Sequence, residues 1–168
     1  MELVSRILDG SISYDSKGGG FGGFFRGRVS QDDRIDRLEE VGLLAGCSRR
    51  QLRAIAKISE VIEVPAGTVL ARAGHAGEEF FLILDGTARV DVSARKRSRL
   101  GPGQYFGEMS LLDGGPRSAS VVAETPLRLL VIKRRDFSTL LREATELTQN
   151  LLVTLSHRVR HAEAGLND

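Results

Sequence analysis

The chain of 168 residues has a single cysteine, Cys47. That excludes an intrachain disulfide and fits a reducing compartment. Between Gly46 and Ser48 it reads as a small filler at a helix start, with no neighbouring base to make the thiol reactive. No apolar run reaches the roughly 18 residues that cross a bilayer. The first residues, MELVSRILDG, are broken by Glu2, Arg6 and Asp9 and carry no signal-peptide core. The expectation is a cytoplasmic protein without a membrane partner. An excess of one charge is also missing: 24 Lys and Arg stand against 22 Asp and Glu, a net +2, too little for a nucleic-acid coat. Histidine is scarce. His75, His157 and His161 do not cluster with aspartates as a metal-dependent phosphodiesterase requires, so neither a metal nor catalysis is expected. His157 and His161 lie four apart on one helix, lack a third ligand and read as a surface pair.

What is present is an ordinary globular composition, 41% hydrophobic and 27% charged. Residues 1–30 read as a flexible leader ending in KGGGFGGFFRGR. Gly18, Gly20 and Gly23 match GxGxxG there, but a dinucleotide site needs a strand before the glycines and a helix after them. Arg26 and Arg28 beside Phe21, Phe24 and Phe25 could grip RNA. Residues 31–168 form the second unit. Ile35, Leu38 and Val41 recur at helical spacing, followed by Leu52, Ile55, Ala56 and Ile58. Ser30 with Asp33, and Ser48 with Gln51, predict capping boxes. From 61 to 133 the pattern turns strand-like: VIEV, TVLAR, EFFLIL, TARVDV, SRL, SASVVA and LRLLVI, separated by glycine and proline turns. Asp85-Gly86 predicts a hairpin. Arg95, Lys96, Arg97 and Arg99 read as a solvated hairpin tip, with phosphate-backbone binding as the alternative. Residues 136 to about 164 predict a short helix, a break near 143–146 and a longer helix, with Gly165 as a stop.

One segment departs from the strand pattern. Gly107 to Leu112, GEMSLL, is too short for a core helix, and the turn Asp113-Gly114-Gly115-Pro116 follows it. A short helix opening at Gly107 presents free amides, which suit an anion; Met109 and Ser110 lie within it. Arg117 offers a planar fork that fits two phosphate oxygens. Ser118 and Ala119 are small enough for close backbone approach, and the Ser118 hydroxyl adds a donor. Glu108 would repel phosphate but suits a ribose hydroxyl. Together they describe a nucleotide site.

Phe106 to Val121, FGEMSLLDGGPRSASV, resembles the signature of the cyclic-nucleotide-binding family, which includes catabolite activator proteins, kinase regulatory subunits and cyclic-nucleotide-gated channels. The resemblance extends over residues 31 to about 162. It implies an α+β domain: an antiparallel β-roll of jelly-roll type with helices before and after. It implies Glu108 on the ribose 2′-hydroxyl and Arg117 on the cyclic phosphate, with Gly107, Ser110, Ser118 and Ala119 in close contact. It adds Val90, Leu100 and Met109 as apolar walls, and Arg158 or Arg160 against the purine. Folding should not depend on Arg117 if the free site is wet. Ser118 resembles the Ser or Ala of cAMP receptors where cGMP sites carry Thr, so cAMP is expected ahead of cGMP. Gln104 stands where the family often has Asp, a difference expected to touch a turn. No DNA-reading helices, kinase or channel follow residue 168, so the output is expected on a protein partner. The last helix serves either as a lid over the base or as a dimer seam; the oligomeric state stays open. The rival functions are an interaction module with a degenerate pocket and a nucleic-acid binder using the basic loop and leader.

Overall fold

The computed structural model describes residues 30–166; the leader, with its GxGxxG match and its Arg-Phe cluster, lies outside them. Helix α1 (Gln31–Glu39), a short 3-10 turn (Gly42–Leu44) and α2 (Arg49–Ile58) come first. Both expected capping boxes form. The Ser30 and Ser48 hydroxyls accept from the Asp33 and Gln51 amides, and those side chains accept in return from the cap amides, so orphan donors at each helix start are spent. Eight strands follow: β1 (Glu60–Val64), β2 (Val69–Ala71), β3 (Glu79–Asp85), β4 (Ala88–Ser93), β5 (Lys96–Leu100), β6 (Tyr105–Phe106), β7 (Ser120–Ala123) and β8 (Leu127–Lys133). Helix α3 (Glu108–Asp113) separates β6 from β7, and α4 (Arg134–Glu143) and α5 (Thr145–Leu166) close the chain. The expected break falls at Ala144. Gly165 lies inside α5 rather than ending it.

The closed β-roll expected from the sequence does not form. The strands make two separate antiparallel sheets, ordered β1-β8-β3-β6 and β2-β7-β4-β5. No ladder joins the two: β1 and β6 remain edges of the first sheet, and β2 and β5 edges of the second. Two of the four edge strands are short, β2 with three residues and β6 with two, and offer few backbone groups for pairing across the gap. The fold is α+β, two antiparallel sheets flanked by helices. Asp85-Gly86 is likewise no hairpin, because β3 and β4 belong to different sheets. Gly86 adopts φ +92°, and a Cβ there would lie 2.2 Å from the Pro126 carbonyl oxygen. Glycine lets the chain step from one sheet to the other against that backbone.

The continuous apolar runs of β3 and β8 have a direct cause: both strands are buried on both faces. Phe80, Leu82, Leu84, Leu130 and Ile132 pack on the helices with Ile35, Leu52, Phe137 and Leu147. Phe81, Ile83, Leu129 and Val131 face the second sheet, packing with Leu70, Ala88 and Val121. Across β1 and β8, Arg128 donates to Glu63, and Asp85 receives both Arg128 and Arg37. The basic run is mostly strand rather than tip. Arg97 pairs with Asp91 and Arg99 with Glu124, so much of its charge is balanced locally. Gln104 does act on a turn: its side chain accepts from the Gly101 amide at 2.7 Å.

Candidate functional site

Between the second sheet, α3 and α5 lies a cavity of about 710 Å³. Its first wall is the segment singled out in the sequence. The chain leaves β6 through Gly107 at φ +93°, turns into α3, and leaves α3 through Gly114 at φ +69°. A Cβ on Gly107 would come within 2.7 Å of both Arg117 Nη1 and the Glu79 carbonyl oxygen, so the conformation and the close packing both require glycine.

Arg117 is buried, with 4% of its surface exposed. Nη1 donates to the Gly107 carbonyl at 3.0 Å and Nη2 to the Glu79 carbonyl at 2.9 Å. The Glu79 carboxylate lies 3.5 Å from Nη2. Its guanidinium carbon sits 5.9 Å from the centre of the Phe81 ring, within the range of a cation–π contact. Nε–H has no acceptor among the described residues. Burial pulls the guanidinium below its ordinary pKa, and Glu79 and Glu108 oppose that pull. A buried cation held in a planar cradle, with Nε–H unspent, is prepared for an anion.

Glu108 is also buried, and its Oε1 accepts from Arg158 Nη1 at 2.5 Å. Arg158 comes from α5, so this ion pair ties the last helix to the first turn of α3. Ser110 is buried within α3, and its carbonyl accepts from the Gly114 amide and from Arg134. The Ser118 hydroxyl lies 3.8 Å from Met109 Sδ.

The structure brings the expected residues together around this one cavity, with Arg160 as the exception. Gly107, Glu108, Met109, Ser110, Arg117, Ser118 and Ala119 form the cassette side, Val90 and Leu100 the sheet side, and Arg158 the helix side. Arg160 is exposed and two positions on from Arg158, about 200° around the helix.

Sequence reasoning missed several lining residues. Val92, Lys96 and Ser98 follow from Val90 and Leu100 by strand alternation. Thr154, His157, His161 and Ala162 follow from Arg158 by helical spacing. Nothing in the linear pattern marks Glu79 as the carboxylate beside Arg117, nor Gly77, where a Cβ would overlap Arg117 Nε at 2.3 Å.

Two sheets, a helical wall and a cavity around a buried arginine make a binding site suited to an anionic ligand. The profile described as the cyclic nucleotide-binding domain matches residues 61–144, half of the chain, and the chain belongs to that family. Among its relatives are a cyclic nucleotide-gated potassium channel of Mesorhizobium japonicum, 41% identical over 86 residues, covering 51% of this chain and 24% of the channel. The cyclic AMP receptor protein of Thermus thermophilus is 37% identical over 108 residues, covering 61% of this chain and 50% of the receptor. The chain thus spans half or less of the length of these relatives. The crystal structure of the Thermus thermophilus catabolite activator protein superposes with a TM-score of 0.69 at 31% identity, covering 75% of this chain and 62% of that one. Among the described residues no helix is long and apolar enough to cross a membrane.

Proposed function

We propose that the chain binds a cyclic nucleotide, cAMP ahead of cGMP, and passes occupancy to a protein partner through α5, in the cytoplasm. The observation that carries this reading is Arg117: a buried guanidinium with an unspent N–H in the wall of a cavity it shares with a buried carboxylate, Glu108. Arg117 takes the cyclic phosphate, helped by the amides of Gly107, Ser110, Ser118 and Ala119. Glu108 accepts from the ribose 2′-hydroxyl. Val90, Leu100 and Met109 face the base, and Arg158 acts on Glu108 rather than on the purine. The names of the relatives, a cyclic AMP receptor protein and a cAMP-dependent protein kinase regulatory subunit, support the cyclic ligand.

A second reading, an interaction module with a degenerate pocket, draws on the Arg117–Glu79 ion pair, which spends part of the guanidinium inside the protein. Calorimetric titration with cAMP, cGMP and AMP decides between them. Binding of cAMP, weaker binding of cGMP and none of AMP is the expected result. No heat with any of the three leaves the interaction module.

A further inference from the structure

Strand β5 is an edge of the second sheet and pairs only with β4. It runs Lys96, Arg97, Ser98, Arg99, Leu100, and Arg95 holds the turn before it. Alternation along the strand sends these side chains two ways. Lys96, Ser98 and Leu100 line the cavity, as does Val90, the residue opposite Ser98 on β4. Arg97 and Arg99 turn away from it and pair with Asp91 and Glu124.

Ser98 differs from an ordinary strand serine in two ways. It is exposed, and among the described residues no hydrogen bond engages its hydroxyl. It is also embedded in cations: Arg95, Lys96 and Arg97 precede it, Arg99 follows it, and from Val92 to Gly107 the chain has no acidic residue. Arg95 and Lys96 are exposed and have no ion pair among the described residues, so their charge is available to a partner. Flanking charge of this kind is how kinases select an acceptor hydroxyl.

We propose that Ser98 is a phosphorylation site for a serine kinase with an acidic substrate groove, and that its phosphate closes the cavity to an anionic ligand. Ser98 Oγ bonds to the γ-phosphorus of ATP, the bond from that phosphorus to the β,γ-bridging oxygen breaks, ADP leaves, and the hydroxyl proton passes to the kinase's base. The strand suits this role. Lys96 to Arg99 are all exposed, so the hairpin end opens at low free energy, and a free strand edge is what an extended-peptide groove pairs with. The product carries about −1.5 to −2 charge at pH 7. It stands in the wall of the cavity that Arg117 also lines, where it sets like charge against a second phosphate and fills space beside Val90 and Leu100. Lys96, on the same face of β5, is placed to pair with it. The modification does not rest on the nucleotide reading; only its effect on cAMP does.

Incubation of the full chain with magnesium, ATP and a serine kinase selective for basic flanks tests this, beside a kinase selective for acidic flanks. Mass spectrometry maps the phosphate. The first enzyme should modify Ser98 in the folded chain and the second should not. Arg95→Ala, exposed and outside the cavity, should melt like the parent and slow incorporation at Ser98 by about tenfold or more, the loss of one charge-assisted contact. No phosphate on Ser98, or phosphate there only after heat denaturation, overturns the site. Equal incorporation by both kinases, or into Arg95→Ala, overturns the recognition by charge. The phosphorylated chain is then titrated with cAMP before and after phosphatase treatment. The phosphate should weaken binding by at least about tenfold, a modest like-charge penalty, and its removal should restore it. Equal affinity in the two samples overturns the closure. A sample without cAMP heat even after phosphatase removes the nucleotide reading, while the mapped phosphate still decides the site, so the two failures are told apart.

Discussion

Glu108 and Arg158 stand fifty residues apart in the chain and 2.5 Å apart in space. One is buried in the first turn of α3; the other is half-exposed on α5. A carboxylate this deep needs a cation, and the only α5 residue paired with it is the one that also borders the cavity. Whatever moves α5 therefore re-aims the group proposed for the ribose.

The first prediction tests that link. Glu108→Gln and Arg158→Ala should each weaken cAMP binding, and their effects should fail to add. A double-mutant cycle by calorimetry should return a coupling of about 0.5–3 kcal/mol, the range for residues in contact. The loss from Arg158→Ala should be equal for cAMP and cGMP. A loss confined to one base would make Arg158 a purine reader instead, and full additivity would break the link.

Arg117→Ala should weaken binding by about 2–5 kcal/mol, the cost of truncating one member of a buried charge pair. The sequence alone suggests that folding would be indifferent to this residue, on the view that the free site is wet. The structure points the other way: Arg117 satisfies two carbonyls and faces the nearly buried Glu79 carboxylate. Its removal should also cost about 1–3 kcal/mol of stability, the penalty for stranded buried groups. Urea unfolding of the free protein checks it; an unchanged midpoint would show that water replaces the guanidinium.

Gly77→Ala should behave like a milder Arg117 variant. Gly77 does not line the cavity, and its backbone is not in the left-handed region, but the added Cβ would overlap Arg117 Nε at 2.3 Å. The guanidinium must shift, at about 1–3 kcal/mol for overpacking. Loss of cAMP affinity together with a lowered melting temperature is the expected pair of results. Loss of stability alone would mean that the cradle tolerates a displaced fork.

Cys47 offers a pH test. Burial pushes its thiol above the ordinary value, and the nearby Glu146 adds to the rise. A raised thiol holds less thiolate at neutral pH, so the nucleophile is scarcer. Alkylation by iodoacetamide should be slower than for a free cysteine at neutral pH and should climb at higher pH than that reference. Faster reaction than the reference would reverse the sign.

The cassette was legible because its chemistry is contiguous: Gly107 through Ala119 carries the turn, the helix and the arginine in one stretch. The capping boxes were legible for the same local reason. The sheet pairing was not. EFFLIL and LRLLVI announce burial, but burial on both faces erases the alternation that would say which sheet each side meets. Tyr105–Phe106 is too short for any period. Glu79 reads as the polar start of an apolar strand, and only the tertiary fold sets it against Arg117, 38 residues on.

The last prediction concerns the far half of α5. Its buried residues, Leu147 and Leu151, both lie in the first two turns. From Leu152 to Leu166 no residue is buried, yet Thr154, His157, Arg158, His161 and Ala162 line the cavity. This half contributes little to the core and much to the site. Deleting residues 155–168 should leave the two sheets folded, with near-parental melting, and weaken cAMP binding. In the full chain, segments with few buried contacts open at low free energy, so amides from 152 to 166 should exchange fast without ligand. A nucleotide that contacts this face must slow them, because it can shift the helix only through interactions that differ between the two states. Exchange monitored by mass spectrometry with and without cAMP should show protection in 152–166 as well as in 107–121. Protection confined to 107–121 would mean that the ligand binds without engaging α5, and the route to a partner would have to run elsewhere.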